Sequence, residues 1–216
     1  MPQPQDVIDA WSSMKAWVET ELPGQALKAA IPNWSVNLGD LGLCDNLNDK
    51  WHSSTESWCA NGDASLSLTG QKVNSFDGVT IQPGTVLQPA SPTTGATLAL
   101  PVNFSKLAIL SSYKISQPCA EYANGKKGST STYDVSGTCT QTVTNGSFFF
   151  DVTIGAELQL NGAYVSDKPT LDFRPNLTFV LMSQDKWSTG FQDAIRLGSF
   201  GEAMLALLNS KLKPNG

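Results

Sequence analysis

The spacing of apolar and polar positions changes period twice along the chain. Val7, Ile8, Trp11, Met14, Ala16, Trp17, Val18 and Leu22 recur at three- and four-residue steps, which predicts an amphipathic helix. Pro23-Gly24 is expected to interrupt it, with Gln25 to Ala30 forming a second short helical stretch. Asn33 to Leu43 is rich in turn residues. Asp45 to Asp63 is polar and reads as a loop, with Trp51 and Trp58 inside it and Trp34 shortly before.

From Ala64 the period becomes two. Leu66 and Leu68 alternate with Ser65, Ser67 and Thr69, and Val73 to Ile81 predicts a further strand or two. After a Pro/Thr/Gly loop over Pro83 to Gly95, Leu98, Leu100, Val102 and Phe104 alternate cleanly. Leu107 to Ile115, through Ile109, reads as the next strand. Glu121 to Ser131 is expected to be a loop, and Tyr133 to Thr144 a Thr-rich strand. The clearest strand runs from Phe148 through Phe150, Val152, Ile154, Ala156 and Leu158 to Leu160, all on one face. At about 3.3 Å per residue it would extend about 40 Å, twice the usual strand length. Leu171, Phe173, Leu177, Phe179 and Leu181 predict another long strand, with Pro175 at an edge or bulge. The period then returns to helical. Trp187, Phe191, Ile195, Met204, Leu208 and Leu212 belong to one amphipathic run that Gly198 and Gly201 can divide.

Strands with one apolar and one polar face predict an antiparallel sheet covered on one side. Long strands twist, and a twisted sheet curls. The expected fold is therefore α+β, with a long, strongly curved antiparallel sheet wrapped around amphipathic helices from both ends. Residues 1–216 are expected to form one domain. The apolar space between sheet and helices would be lined by Trp11, Leu66, Leu68, Leu98, Leu100, Leu107, Ile109, Phe148, Phe150 and Val152. Ile154, Leu158, Leu171, Phe173, Phe179, Phe191, Ile195, Met204 and Leu208 complete the expected lining.

Three stretches carry a family resemblance. Leu68-Thr69-Gly70 through Phe76 to Ile81 is like a strand–Gly crossover. Leu98-Ala99-Leu100-Pro101, followed by Leu107 to Ile115, is like paired strands ending on Tyr113-Lys114-Ile115. Phe200-Gly201-Glu202-Ala203 with Leu207-Leu208-Asn209 is like a closing helix. Together they resemble the tubular lipid-binding superfamily, which includes bactericidal/permeability-increasing protein and the insect takeout proteins. The resemblance implies an elongated tunnel that holds a fatty acid, phospholipid or terpenoid. The cysteines depart from the takeout pattern, in which the pair sits near the N-terminus.

Composition sharpens this picture. Charged residues are only 15% of the chain and the net charge is −5; the pI is about 4.8. A nucleic-acid binder should show a basic stripe, and none is visible, so no nucleic-acid partner is expected. Four cysteines and one histidine, His52, occur without a CxxC pair, so no metal or cofactor is expected. Cys44, Cys59, Cys119 and Cys139 are expected to form two disulfides. Of three connectivities, Cys44–Cys59 and Cys119–Cys139 are preferred because each closes a polar excursion. Disulfides imply an oxidising compartment, secreted or periplasmic.

The chemistry expected is binding, not catalysis. His52 would need a nucleophile and an orienting acid that the sequence cannot place. Asp151 and Glu157 share a predicted strand face but would stand about 20 Å apart, too far for a glycosidase pair. A chain of about 12 buried methylenes would gain about 10 kcal/mol gross, enough for a monomeric carrier of a hydrophobic small molecule or lipid. Two alternatives stand beside it. Ser129 to Gly155 resembles the amphipathic hairpin of a pore-forming toxin, which would make a membrane surface the partner. Exposed Trp34, Trp51 or Trp58 would suit a carbohydrate-binding β module.

Overall fold

Two strands of unusual length carry the architecture. In a computed structural model, described over residues 15–29, 31–44, 57–82, 85–88, 97–124, 126–153, 158–165, 170–174 and 200–212, β6 (Thr97–Ala123) spans 27 residues and β7 (Lys126–Thr153) spans 28. They pair antiparallel from Thr97↔Thr153 to Ala123↔Lys126. Asn124, with φ 51°, starts the return, a left-handed conformation that Asn tolerates better than most residues.

The remaining strands line the two free edges of this pair. β6 takes β2 (Ser57–Asn61), β3 (Ala64–Asp77), β4 (Thr80–Ile81) and β5 (Thr85–Gln88) in succession, all antiparallel. β1 (Trp34–Gly39) extends the sheet beyond β3. On the other side, β7 takes β8 (Gln159–Val165) near its end and β9 (Thr170–Arg174) nearer its middle. The described sheet has nine strands, runs β1-β3-β6-β7-β8 through its centre, and does not close on itself.

Among the described residues the helices are few and short. Residues 15–20 are helical, Glu21 is a turn, and α1 (Leu22–Ala26) follows. Pro23 sits in the first turn of α1, where its missing N–H costs nothing. The predicted break at Pro23-Gly24 therefore falls two residues earlier, at Glu21. α2 (Phe200–Leu212) buries Met204 and Leu208, one helical step apart on one face. α1 lies against β3 and α2, and α2 lies against β8. Asn209 ties α2 to the sheet: its Oδ1 accepts from the Leu158 N–H at 3.0 Å, and its Nδ2 donates to the Leu158 carbonyl at 3.3 Å.

Several predicted strands prove to be halves of longer ones. Even positions Leu100, Val102 and Phe104 of β6 are buried, and then odd positions Leu107, Ile109, Tyr113 and Ile115. β7 switches in the same place, from Cys139, Gln141 and Val143 to Phe148 and Phe150. Ser105 and Asn145 lie opposite each other at this switch, between the pairs Phe104↔Gly146 and Lys106↔Thr144. Asn145 has φ 51°. Gly146 is required there because a Cβ would run into the Phe104 ring. A change of parity within one strand reads, in sequence, as two strands. The expected loop at Glu121 to Ser131 is likewise mostly ladder.

Other expectations are corrected. Phe148 to Leu160 is not one strand: β7 ends at Thr153, and β8 comes back with Phe150 opposite Leu160. Ser129 to Thr153 lies within one strand, so the predicted pore hairpin has no turn there. Part of the loop expected over Asp45 to Asp63 is β2. Neither preferred disulfide forms. Cys44 bonds Cys119, and Cys139 is a buried free thiol. The ladder explains this: β2 and β6 place Asn61 opposite Cys119, and the Asn61 side chain holds the Cys44 backbone beside it at 3.1 Å.

Candidate functional site

The buried face of the sheet is mostly apolar, and most of its described residues join one large core, with Cys44 and Cys119 in a small second cluster. Of the expected lining, Leu66, Leu68, Leu100, Leu107, Ile109, Phe148, Phe150, Leu158, Phe173, Met204 and Leu208 lie in that core, with Leu171 packed at its margin. Trp11, Ile154, Phe179, Phe191 and Ile195 lie outside the described residues, as do the side chains of Leu98, Val152 and Cys59. His52, Trp51 and the Trp58 side chain also lie outside them. Trp34 is half-buried against the core, so its ring is not a free carbohydrate platform.

The core has an aromatic centre at the parity switch. The Phe104 and Phe148 rings stack at 5.3 Å between centroids, and Phe76 approaches them at 5.4 and 6.5 Å. Such pairs add about 1 kcal/mol each beyond their burial. Farther along β6, Tyr113 meets Phe173 edge-on at 4.6 Å.

Between these aromatic groups sits a polar cluster that sequence reasoning missed. Gln71, Ser111 and Gln141 are 5%, 2% and 0% exposed. They come from β3, β6 and β7 and face inward among Val73, Ile109 and Val143. The Trp34 indole Nε1 donates to Gln71 Oε1 at 3.1 Å, and Gln71 Nε2 donates to the Pro32 carbonyl. Gln141 Nε2 donates to Gln71 Oε1 at 3.2 Å and to Ser111 Oγ at 2.6 Å. Gln141 Oε1 has no partner among the described residues, nor does the hydroxyl of Tyr113. A buried polar atom without a partner costs about 1–3 kcal/mol.

The electrostatics of this region are neutral. The buried polar side chains among the described residues are Gln71, Ser111, Gln117 and Gln141, none of them charged. Burial, and then the nearby Cys139, pushes the Tyr113 hydroxyl above its ordinary pKa. Burial, with Asp172 nearby, pushes the Cys139 thiol up to about 12, so it stays protonated and poorly nucleophilic. No cluster of metal-ligating side chains occurs among the described residues.

One signal for the cluster was present in the sequence. Gln141 falls in phase with Cys139 and Val143, on the apolar parity of a strand whose other parity is Thr138, Thr140 and Thr142. Gln71 is harder to find, because Gly70, at φ 60°, sits where the parity of β3 switches between Leu68 and Gln71.

No protein-family model matches the chain, and no curated protein matches it. Among solved structures, the crystal structure of a lipopolysaccharide binding protein is similar over 87% of this chain, with a TM-score of 0.41 and 8% sequence identity. The match covers 41% of that protein, so this chain spans about two fifths of its length.

Proposed function

We propose that this chain binds an elongated apolar molecule against the buried face of its sheet and carries it, with no catalytic step. One observation carries the reading. Gln141 Oε1 and the Tyr113 hydroxyl are buried without described partners in the middle of a mostly apolar face. Apolar walls with a few convergent polar groups are the usual make-up of a small-molecule site. Buried polar atoms are otherwise nearly always paired. The long strands supply wall length, and the Asn209 clamp holds one helix over the margin of the sheet. The Cys44–Cys119 disulfide fits an oxidising compartment, secreted or periplasmic. The carrier is expected to act as a monomer.

The test is uptake of N-phenyl-1-naphthylamine, whose fluorescence rises in apolar surroundings, together with native mass spectrometry of the purified protein. Saturable dye uptake, displaced by long-chain lipids, is expected. No uptake and no co-purifying lipid would refute the reading.

A second reading, docking on a membrane surface, is favoured by Phe149 and Tyr164. These aromatic rings are 37% and 59% exposed on the outer face, on adjacent strands. Flotation with phosphatidylcholine vesicles should be lost in a Phe149→Ser/Tyr164→Ser variant if that face touches lipid. Equal flotation of the variant would remove this reading.

A further inference from the structure

The ligand's polar group can be specified further, on the assumption that the apolar site just proposed exists. We infer that the site selects a neutral ligand bearing a hydrogen-bond donor, such as a long-chain or terpenoid alcohol, over the matching carboxylate or a phosphodiester.

Selection follows from which groups donate and which accept. An indole N–H can only donate. Trp34 Nε1 therefore fixes its partner on Gln71 as Oε1, and Gln71 Nε2 is left to donate to the Pro32 carbonyl. Gln141 also faces Gln71 Oε1, so it must present its amide nitrogen there, and that nitrogen's second hydrogen goes to Ser111 Oγ. Three residues thus remove the usual ambiguity in the orientation of a glutamine amide. What remains is Gln141 Oε1, an acceptor that is 0% exposed and without a partner among the described residues. It can be satisfied only by a group that donates.

An ionised carboxylate or a phosphodiester offers acceptors alone, so it would meet this oxygen with repulsion. It would also be a charge buried among neutral residues, because no Lys or Arg is buried in the described core. A hydroxyl satisfies Gln141 and stays neutral. The Tyr113 hydroxyl, at the next inward position after Ser111 on β6, can donate or accept and so does not discriminate. Selection rests on Gln141.

The experiment is displacement of N-phenyl-1-naphthylamine by hexadecanol, hexadecyl methyl ether and hexadecanoate, the last kept ionised at alkaline pH. The alcohol should displace the dye roughly tenfold better than the ether, the worth of one buried hydrogen bond, and the carboxylate should be weakest. In Gln141→Met the advantage of the alcohol over the ether should disappear. Equal displacement by alcohol and ether in the unsubstituted protein would overturn the inference without needing any variant. So would an advantage that persists in Gln141→Met, or a carboxylate that binds best. Failure of the dye and all three competitors to bind would instead refute the underlying site.

Discussion

Gln117 and Gln141 are both fully buried on the same face of the sheet, on neighbouring strands, and they do opposite things. Gln117 uses every group it has. Its Nε2 donates to Asp40 Oδ1 and to the Gly62 carbonyl, both at 2.8 Å, and its Oε1 accepts from the Leu43 N–H at 3.1 Å. Those bonds clip the segment after β1 to the β2–β3 turn, two residues from the Cys119 half of the disulfide. Gln141 spends its nitrogen on two neighbours and leaves its oxygen over. A completed network fixes a structure, whereas an incomplete one in an apolar setting points to something else that completes it. The first region reads as architecture, and the second is where the proposed ligand would bind.

The largest effect is expected at the architectural end. Cys44→Ala/Cys119→Ala opens a link across a sequence separation of 75 residues. It should cost about 4 kcal/mol in the loop-entropy model, measured by chemical denaturation. A loss under about 1 kcal/mol would show that the clip holds that end without the bond. Next, Gln117→Leu strands the Leu43 N–H and the Gly62 carbonyl, and should cost about 3 kcal/mol.

Gln141→Met, the equivalent truncation of polarity in the other region, should change stability by no more than about 1 kcal/mol, because it also removes an unsatisfied oxygen. If the two glutamine variants lose equal stability, the distinction between the regions fails.

The smallest effect is on pH dependence. The Gly42 N–H first, then Gln117, hold the Asp40 carboxyl below its ordinary range. A depressed carboxyl contributes stability that is present above its unfolded pKa of about 3.9 and is lost as pH falls through its folded value. Unfolding midpoints followed downward from pH 5 should therefore fall more steeply in the unsubstituted protein than in Asp40→Asn. The Gln71–Ser111–Gln141 cluster contains no titrating group, so Gln141→Met should leave the acid limb of the curve unmoved.

How much of this was legible in the sequence depended on whether a local period carried it. The inward set of Leu66, Leu68, Leu100, Leu107, Ile109, Phe148 and Phe150 follows from strict alternation, and all seven are buried together. The mainly antiparallel sheet follows from the same pattern. The continuity of β6 and β7 was hidden because Ser105 and Asn145 shift the parity of both strands at one level of the ladder. The disulfide was hidden because pairing of β2 with β6, not nearness in sequence, brings Cys44 to Cys119. The polar cluster was hidden for a different reason. A glutamine in a Thr-rich strand looks like surface until the strand's neighbours define which parity is inside.

The most direct test of the central claim follows the side-chain amide signals of the glutamines by nuclear magnetic resonance as hexadecanol is added. The Gln141 amide pair should shift saturably while the Gln117 pair stays in place. Unmoved Gln141 signals at saturating alcohol, or Gln117 signals that move as far as those of Gln141, would contradict it.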